Sequence, residues 1–115
     1  MNHNHFEALL NRTYTLARRA RISDGRGGWP WSYVVQGTVK GRLRPASSAE
    51  RTAAQQEQRE ISHVFYCAYD EDVKRTDRLT ADGITVYVDA IRKPSRADHH
   101  LEVDCSETQV EDEPA

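Results

Sequence analysis

A chain of 115 residues, 37% hydrophobic and 30% charged, has room for one domain with a modest core and is polar for its size. No apolar run approaches the roughly 18 residues of a membrane span, and Met1-Asn2-His3-Asn4-His5 lacks the charged start and apolar stretch of a signal peptide, so a cytoplasmic protein without membrane contact is expected. The net charge of −2 conceals a division: residues 1–45 carry eight bases against Glu7 and Asp24 (+6), and residues 46–115 carry eight bases against sixteen acids (−8).

Asn4 to Asn11 reads as a short helix, with Phe6, Leu9 and Leu10 at i, i+3 and i+4. Eight residues do not hold a helix alone, so this stripe must dock on its own domain or on a partner. Arg12 to Arg21 is a first strand, and Ser23-Asp24-Gly25-Arg26-Gly27-Gly28 is a turn. Trp29, Trp31 and Tyr33 follow within five residues. They form either an exposed aromatic platform or a plug for one end of a barrel. From Val34 to Arg44 the inward set is Val35, Gly37, Val39, Gly41 and Leu43, alternating with polar residues. That period of two marks a half-buried strand, and its two glycines suggest tight curvature.

Pro45 ends the strand. Ser47 and Glu50 have capping-box spacing, and Ala49 to Arg59 is rich in helix formers. No residue there is apolar and larger than alanine, so core burial is not expected to anchor it. Residues 46–60 form a long polar, partly helical excursion, the kind of loop that usually has a function. Ile61 to Tyr69 is the most apolar strand. Arg78–Ala81 and Ile84–Arg92 pair around Asp82-Gly83, a strong hairpin signal, and His99 to Ser106 alternates as the last strand. The expected fold is all-β: a small five- or six-stranded barrel over residues 13–107, with an N-terminal arm (1–12) and an acidic tail (108–115).

No constellation of catalytic residues emerges. Cys67 and Cys105 lie far apart without a C-x-x-C unit and read as buried thiols. The histidines come as His3/His5, His63 and His99/His100; neighbours on a strand point to opposite faces, so no zinc set forms. Asp70, Glu71 and Asp72 lack the glycine and glutamate offsets of a calcium loop. Residues 24–28 lack the lysine of a phosphate-binding loop. No enzyme, cofactor or metal is expected. A barrel with Trp29, Trp31, Tyr33, Arg18, Arg19, Arg21 and Arg26 could bind single-stranded nucleic acid, although the sequence pI near 6.2 argues against a dedicated binder.

Several stretches in order resemble one family. They are Asp24-Gly25…Gly28-Trp29, Val35-x-Gly37-x-Val39-x-Gly41-Arg42-Leu43-x-Pro45, Ser48-x-Glu50 with Gln55-Gln56 and Glu60, Ile61-Ser62-His63-Val64-Phe65-Tyr66, Asp77-Arg78-Leu79 and His100-Leu101-Glu102-Val103. Across about residues 13–107, leaving out the first twelve residues and the tail, the chain resembles the head-completion (head-closure, stopper or head–tail joining) proteins of tailed bacteriophages. The resemblance implies a homo-oligomeric ring, a dodecamer or alternatively a hexamer, at the neck of a virion assembled in the host cytoplasm. Such a ring lies between a portal or adaptor ring and a tail-completion or tail-tube protein, around packaged double-stranded DNA. A tail-completion or adaptor protein of the same neck is the alternative. Under this reading Ser47, Ser48, Glu50, Arg51, Gln55, Gln56, Glu57 and Arg59 supply inter-subunit or channel contacts. Arg18, Arg19, Arg21, Arg26 and Arg42 form a basic contact surface, and Phe6, Leu9 and Leu10 dock the N-terminus.

Overall fold

The computed structural model describes residues 12–68, 70–92 and 100–108. The predicted helix with Phe6, Leu9 and Leu10, the turn at 93–98 and the acidic tail from residue 109 onward lie outside the described residues. Six antiparallel strands are present: β1 (Arg12–Arg21), β2 (Trp31–Pro45), β3 (His63–Ala68), β4 (Arg78–Ala81), β5 (Ile84–Arg92) and β6 (His100–Ser106), with one helix, α1 (Ser48–Gln56), between β2 and β3. The ladders close in the order β1-β2-β3-β6-β5-β4, the barrel that the alternation predicted. Asp82 (φ 47) and Gly83 (φ 82) make the left-handed turn of the β4–β5 hairpin.

The core is one layer of inward side chains: Tyr14, Leu16, Val39, Phe65, Leu79, Val86, Val88, Leu101 and Val103 among them. The Tyr14 and Phe65 rings meet edge to face with centroids 5.0 Å apart. Gly41 is required by this packing, since a Cβ there would overlap the Tyr66 carbonyl and the Phe65 ring.

Two bulges break the alternation. Leu16 pairs with Gly37 and Ala17 with Val35, so Gln36 is the extra residue; Gly37, at φ 153, takes a conformation other residues rarely adopt. Val39, Gly41 and Leu43 point inward as expected, but Val35 does not: the bulge changes the phase and leaves it 62% exposed. The second extra residue, Asp89, lies between the Val88–Cys105 and Ala90–Asp104 pairs.

The expectation that core burial would not anchor the excursion is corrected. Ala54 is 1% exposed and packs with Ala46, Ile61 and Val64 in a second cluster outside the barrel wall. Alanine suffices because α1 lies close to β3. This second layer explains why Val64 and Phe65, neighbours on opposite faces of β3, are both fully buried and why that strand reads as a continuous apolar run.

Candidate assembly interface

β1 and β2 run past the rest of the barrel. β4 pairs β1 only at Thr15–Ala17, and β3 pairs β2 only at Gly41–Pro45. Arg18–Arg21 and Trp31–Val34 pair with one another as a projecting two-stranded ribbon. Its tip is built by Asp24, whose Oδ1 accepts from the Arg26 and Gly28 amides at 2.7 and 3.0 Å. The glycines at φ 79 (Gly25) and 90 (Gly27) allow that turn.

On one face of the ribbon cations alternate with rings. The Arg19 and Arg21 guanidinium carbons each lie 4.7 Å from the Trp31 ring centre. Arg78 lies 4.6 Å from the Tyr33 ring, and Tyr87 continues the row at 6.0 Å from Tyr33. Desolvation raises the Tyr33 pKa, and its hydroxyl donates to the Thr76 carbonyl at 3.0 Å. Trp29 and Trp31 are 58% and 45% exposed, so they do not plug the barrel. Among the described residues, the large exposed hydrophobics are Ile22, Trp29, Trp31, Val34, Val35 and Ile84; all but Ile84 belong to the ribbon, its tip or, for Val35, its base.

The five predicted basic residues do not act alike. Arg18 turns inward: its Nε and a terminal nitrogen donate to both oxygens of fully buried Asp77 at 3.0 and 2.9 Å. It also reaches the Asp72 carbonyl oxygen and carboxylate. The Lys74 amide completes the Asp77 site at 2.8 Å. Arg18 therefore fastens the ribbon's base to the connection before β4. Arg19 and Arg21 stack on Trp31, Arg26 is exposed at the tip, and Arg42 lies 6.0 Å from the Tyr66 ring on the barrel wall.

The predicted excursion residues also divide. Ser47 and Glu50 form the capping box, and Glu50 is gripped by Arg44 at 2.8 and 2.7 Å. That guanidinium is the main reason the Glu50 pKa falls to about 2. At the helix end Gln58 (φ 62) lets the Arg59 amide reach back to the Ala54 carbonyl at 2.8 Å, a Schellman closure. Arg59 then lies among Glu57, Asp89 and Asp104 at 2.7, 2.7 and 3.3 Å. Arg51 donates to the Ala46 carbonyl. Ser48, Gln55 and Gln56 face solvent.

Sequence reasoning missed the exposed Ile22 and Val34 and the half-buried Arg78 and Tyr87 that continue the row of rings and cations. A signal for the last two was present: the two-residue Asp82-Gly83 turn fixes the register that sets Arg78 opposite Tyr87. Cys67 and Cys105 are free and buried, with the Cys67 thiol pushed up to about 12, mainly by burial. Among the described residues no group of three His, Cys, Asp or Glu could hold a metal ion, and no helix is long and apolar enough to cross a membrane.

A family model of the phage head completion proteins matches residues 7–108. The chain belongs to that family. Head completion proteins are structural phage proteins, and the match begins at residue 7, inside the segment that the sequence resemblance left out. No curated protein matches the sequence significantly. Among solved structures, this head completion protein is similar to protein SF1141 of Shigella flexneri 2a, at 20% identity and a TM-score of 0.67, covering 92% of this chain and 96% of that one. A chain from the virion of a native gene transfer agent particle is similar at 16% identity and a TM-score of 0.51, covering 88% and 97%. At these identities the likeness is one of fold.

Proposed function

We propose that this head completion protein is the connector between the capsid portal or adaptor ring and the tail, assembled as a ring, a dodecamer or alternatively a hexamer, that continues or closes the channel for packaged DNA. Exposed apolar residues concentrated on one arginine-framed projection carry this reading. A monomer rarely leaves two tryptophans half in water unless something covers them. Together their exposed parts approximate one whole Trp side chain, and its burial stabilises an interface by on the order of 5 kcal/mol before ordering costs. The ribbon and the solvent-facing side of α1 (Ser48, Gln55, Gln56) are the surfaces offered to neighbours. The acids of residues 46–115 complement Arg19, Arg21 and Arg26 of an adjacent copy, and repetition around a ring turns weak contacts into avidity.

Electron microscopy of particles tests this directly: density for this chain is expected in a ring between head and tail, and particles lacking it there refute the reading. Trp31→Ala or Arg21→Glu should yield folded protein that enters particles poorly; normal incorporation of both variants counts against the ribbon.

Stacking of Arg19 and Arg21 on Trp31 also favours a second reading, single-stranded nucleic-acid binding. It requires that an oligonucleotide quench tryptophan fluorescence, with binding that weakens steeply as salt rises. Absence of quenching at low salt eliminates it.

A further inference from the structure

Among the described residues, nothing closes the mouth of the barrel opposite the ribbon, where β1 begins. A groove of about 440 Å³ runs beside Arg12 there, floored by Tyr14 and Leu43 and walled by Ile84, with Arg42 and His63 on its rim. Tyr14 and Leu43 belong to, or pack against, the main core, so the core itself reaches this opening. Ile84 is 40% exposed beside it, the one large exposed hydrophobic of the described residues away from the ribbon. Nothing among the described residues covers this groove, whose volume suits a few apolar side chains.

We propose that residues 4–11 of the same chain occupy this groove, with Phe6, Leu9 and Leu10 laid on Tyr14, Leu43 and Ile84. Three observations identify the occupant. First, the segment leaves from Arg12, itself part of the groove wall. Leu10 and Phe6 lie two and six residues before Arg12, within about 7 and 20 Å of extended chain and less if helical. Second, the tip of the ribbon is out of reach on the same molecule, because Ile22 lies ten residues beyond Arg12 along an extended chain, about 33 Å away. Third, three arginines, Arg12, Arg42 and Arg44, line the groove, the first and last already beside Asp82 and Glu50, and Glu7, the only Asp, Glu, Lys or Arg in residues 1–11, carries the sign that suits them. The amphipathic stripe at i, i+3 and i+4 supplies the apolar face that a short segment must bury to be ordered. Its docking lengthens the core of a small domain, where each added apolar contact counts most.

The proposal concerns the isolated chain and is independent of the connector reading, which is tested on particles. Leu10→Cys with Ile84→Cys in the full chain, treated with copper–phenanthroline at micromolar protein, should give an intramolecular disulfide. It is read as a faster-migrating monomer band on a non-reducing gel and reversed by dithiothreitol. Leu9→Cys with Ile84→Cys is the second pair, and Leu10→Cys with Ile22→Cys is the control that stays uncrosslinked; native Cys67 and Cys105 are buried. Hydrogen exchange gives a second measurement: Phe6→Asp with Leu10→Asp should speed exchange on the order of tenfold at Arg12–Tyr14 and Ile84 while sparing Tyr33–Val35. Disulfide-linked dimers in place of the monomer product overturn the proposal in favour of a neighbouring copy. Failure of both pairs to crosslink, or unchanged exchange at the mouth, overturns docking altogether.

Discussion

Arg18→Ala is the sharpest probe of how the projection is held. The Asp77 side chain is 0% exposed and that of Arg18 is 24% exposed, joined by two charge-assisted hydrogen bonds at 3.0 and 2.9 Å. Truncation leaves the carboxylate with the Lys74 amide in a site without water contact. Deleting one partner of a buried ion pair costs about 3–5 kcal/mol. The exposed edge of Arg18 admits some water to the vacated space, which places the expected loss near 3 kcal/mol, or on the order of 10 °C in Tm for a domain of this size. Urea unfolding followed by circular dichroism measures it: the midpoint should fall with little change in slope. Arg19→Ala is the matched control, since that side chain contributes by stacking on Trp31 and its removal should cost about 0.5–1 kcal/mol. Converting the pair to apolar residues, Arg18→Met with Asp77→Leu, should recover most of the loss. If Arg18→Ala and Arg19→Ala destabilise equally, the assignment of Arg18 as a buried fastening rather than a surface cation is wrong.

Four further outcomes are expected. Gly41→Ala places a methyl on the Tyr66 carbonyl and Phe65 ring and should cost at least about 2–3 kcal/mol, read as a lowered urea midpoint. The Glu50 pKa falls from 4.5 to about 2 in the folded protein, so its ionised form adds stability above about pH 4.5 that is lost as pH falls through about 2. Glu50→Gln should therefore lose less stability than wild type between those pH values, and parallel curves would show that the Arg44–Glu50 pair contributes nothing. With thiols buried and the Cys67 pKa pushed up to about 12, Ellman's reagent should leave both cysteines untouched at pH 8 until the protein unfolds; prompt reaction would mean an open core. Gln58→Gly relieves a positive φ of 62° and should stabilise by about 0.5–1 kcal/mol; a destabilised variant would indicate that the Gln58 side chain matters more than its backbone.

The barrel was legible because its physics is local. Alternation in β2 from Val39 to Leu43 and in β6, the Asp82-Gly83 turn and the Ser47/Glu50 spacing each state their structure within a few residues. Three features were not legible, for separate reasons. The Gln36 bulge is one extra residue in an otherwise regular pattern; Gly37 beside it permits the bulge, but a glycine in a strand does not by itself say that the phase changes there. Ala54 carries no hydrophobic weight in a sequence pattern; its burial depends on how near α1 comes to β3. Arg18 and Asp77 are 59 positions apart, and nothing near Arg18 distinguishes it from Arg19 or Arg21. The candidate surface was accordingly read by composition, which cannot separate arginines that hold the fold from those that face outward.

The insertion at Gln36 gives the molecule two independently adjustable halves. On its C-terminal side the strand obeys the interior; on its N-terminal side the same strand shows a different set of side chains outward. Removing Gln36 would rotate Trp31, Tyr33 and Val35 to the opposite side while leaving Val39, Gly41 and Leu43 in place. Descendants of this sequence could thus exchange one docking specificity for another through a single-codon deletion, giving up the Tyr33–Thr76 hydrogen bond but keeping the packing around Val39, Gly41 and Leu43.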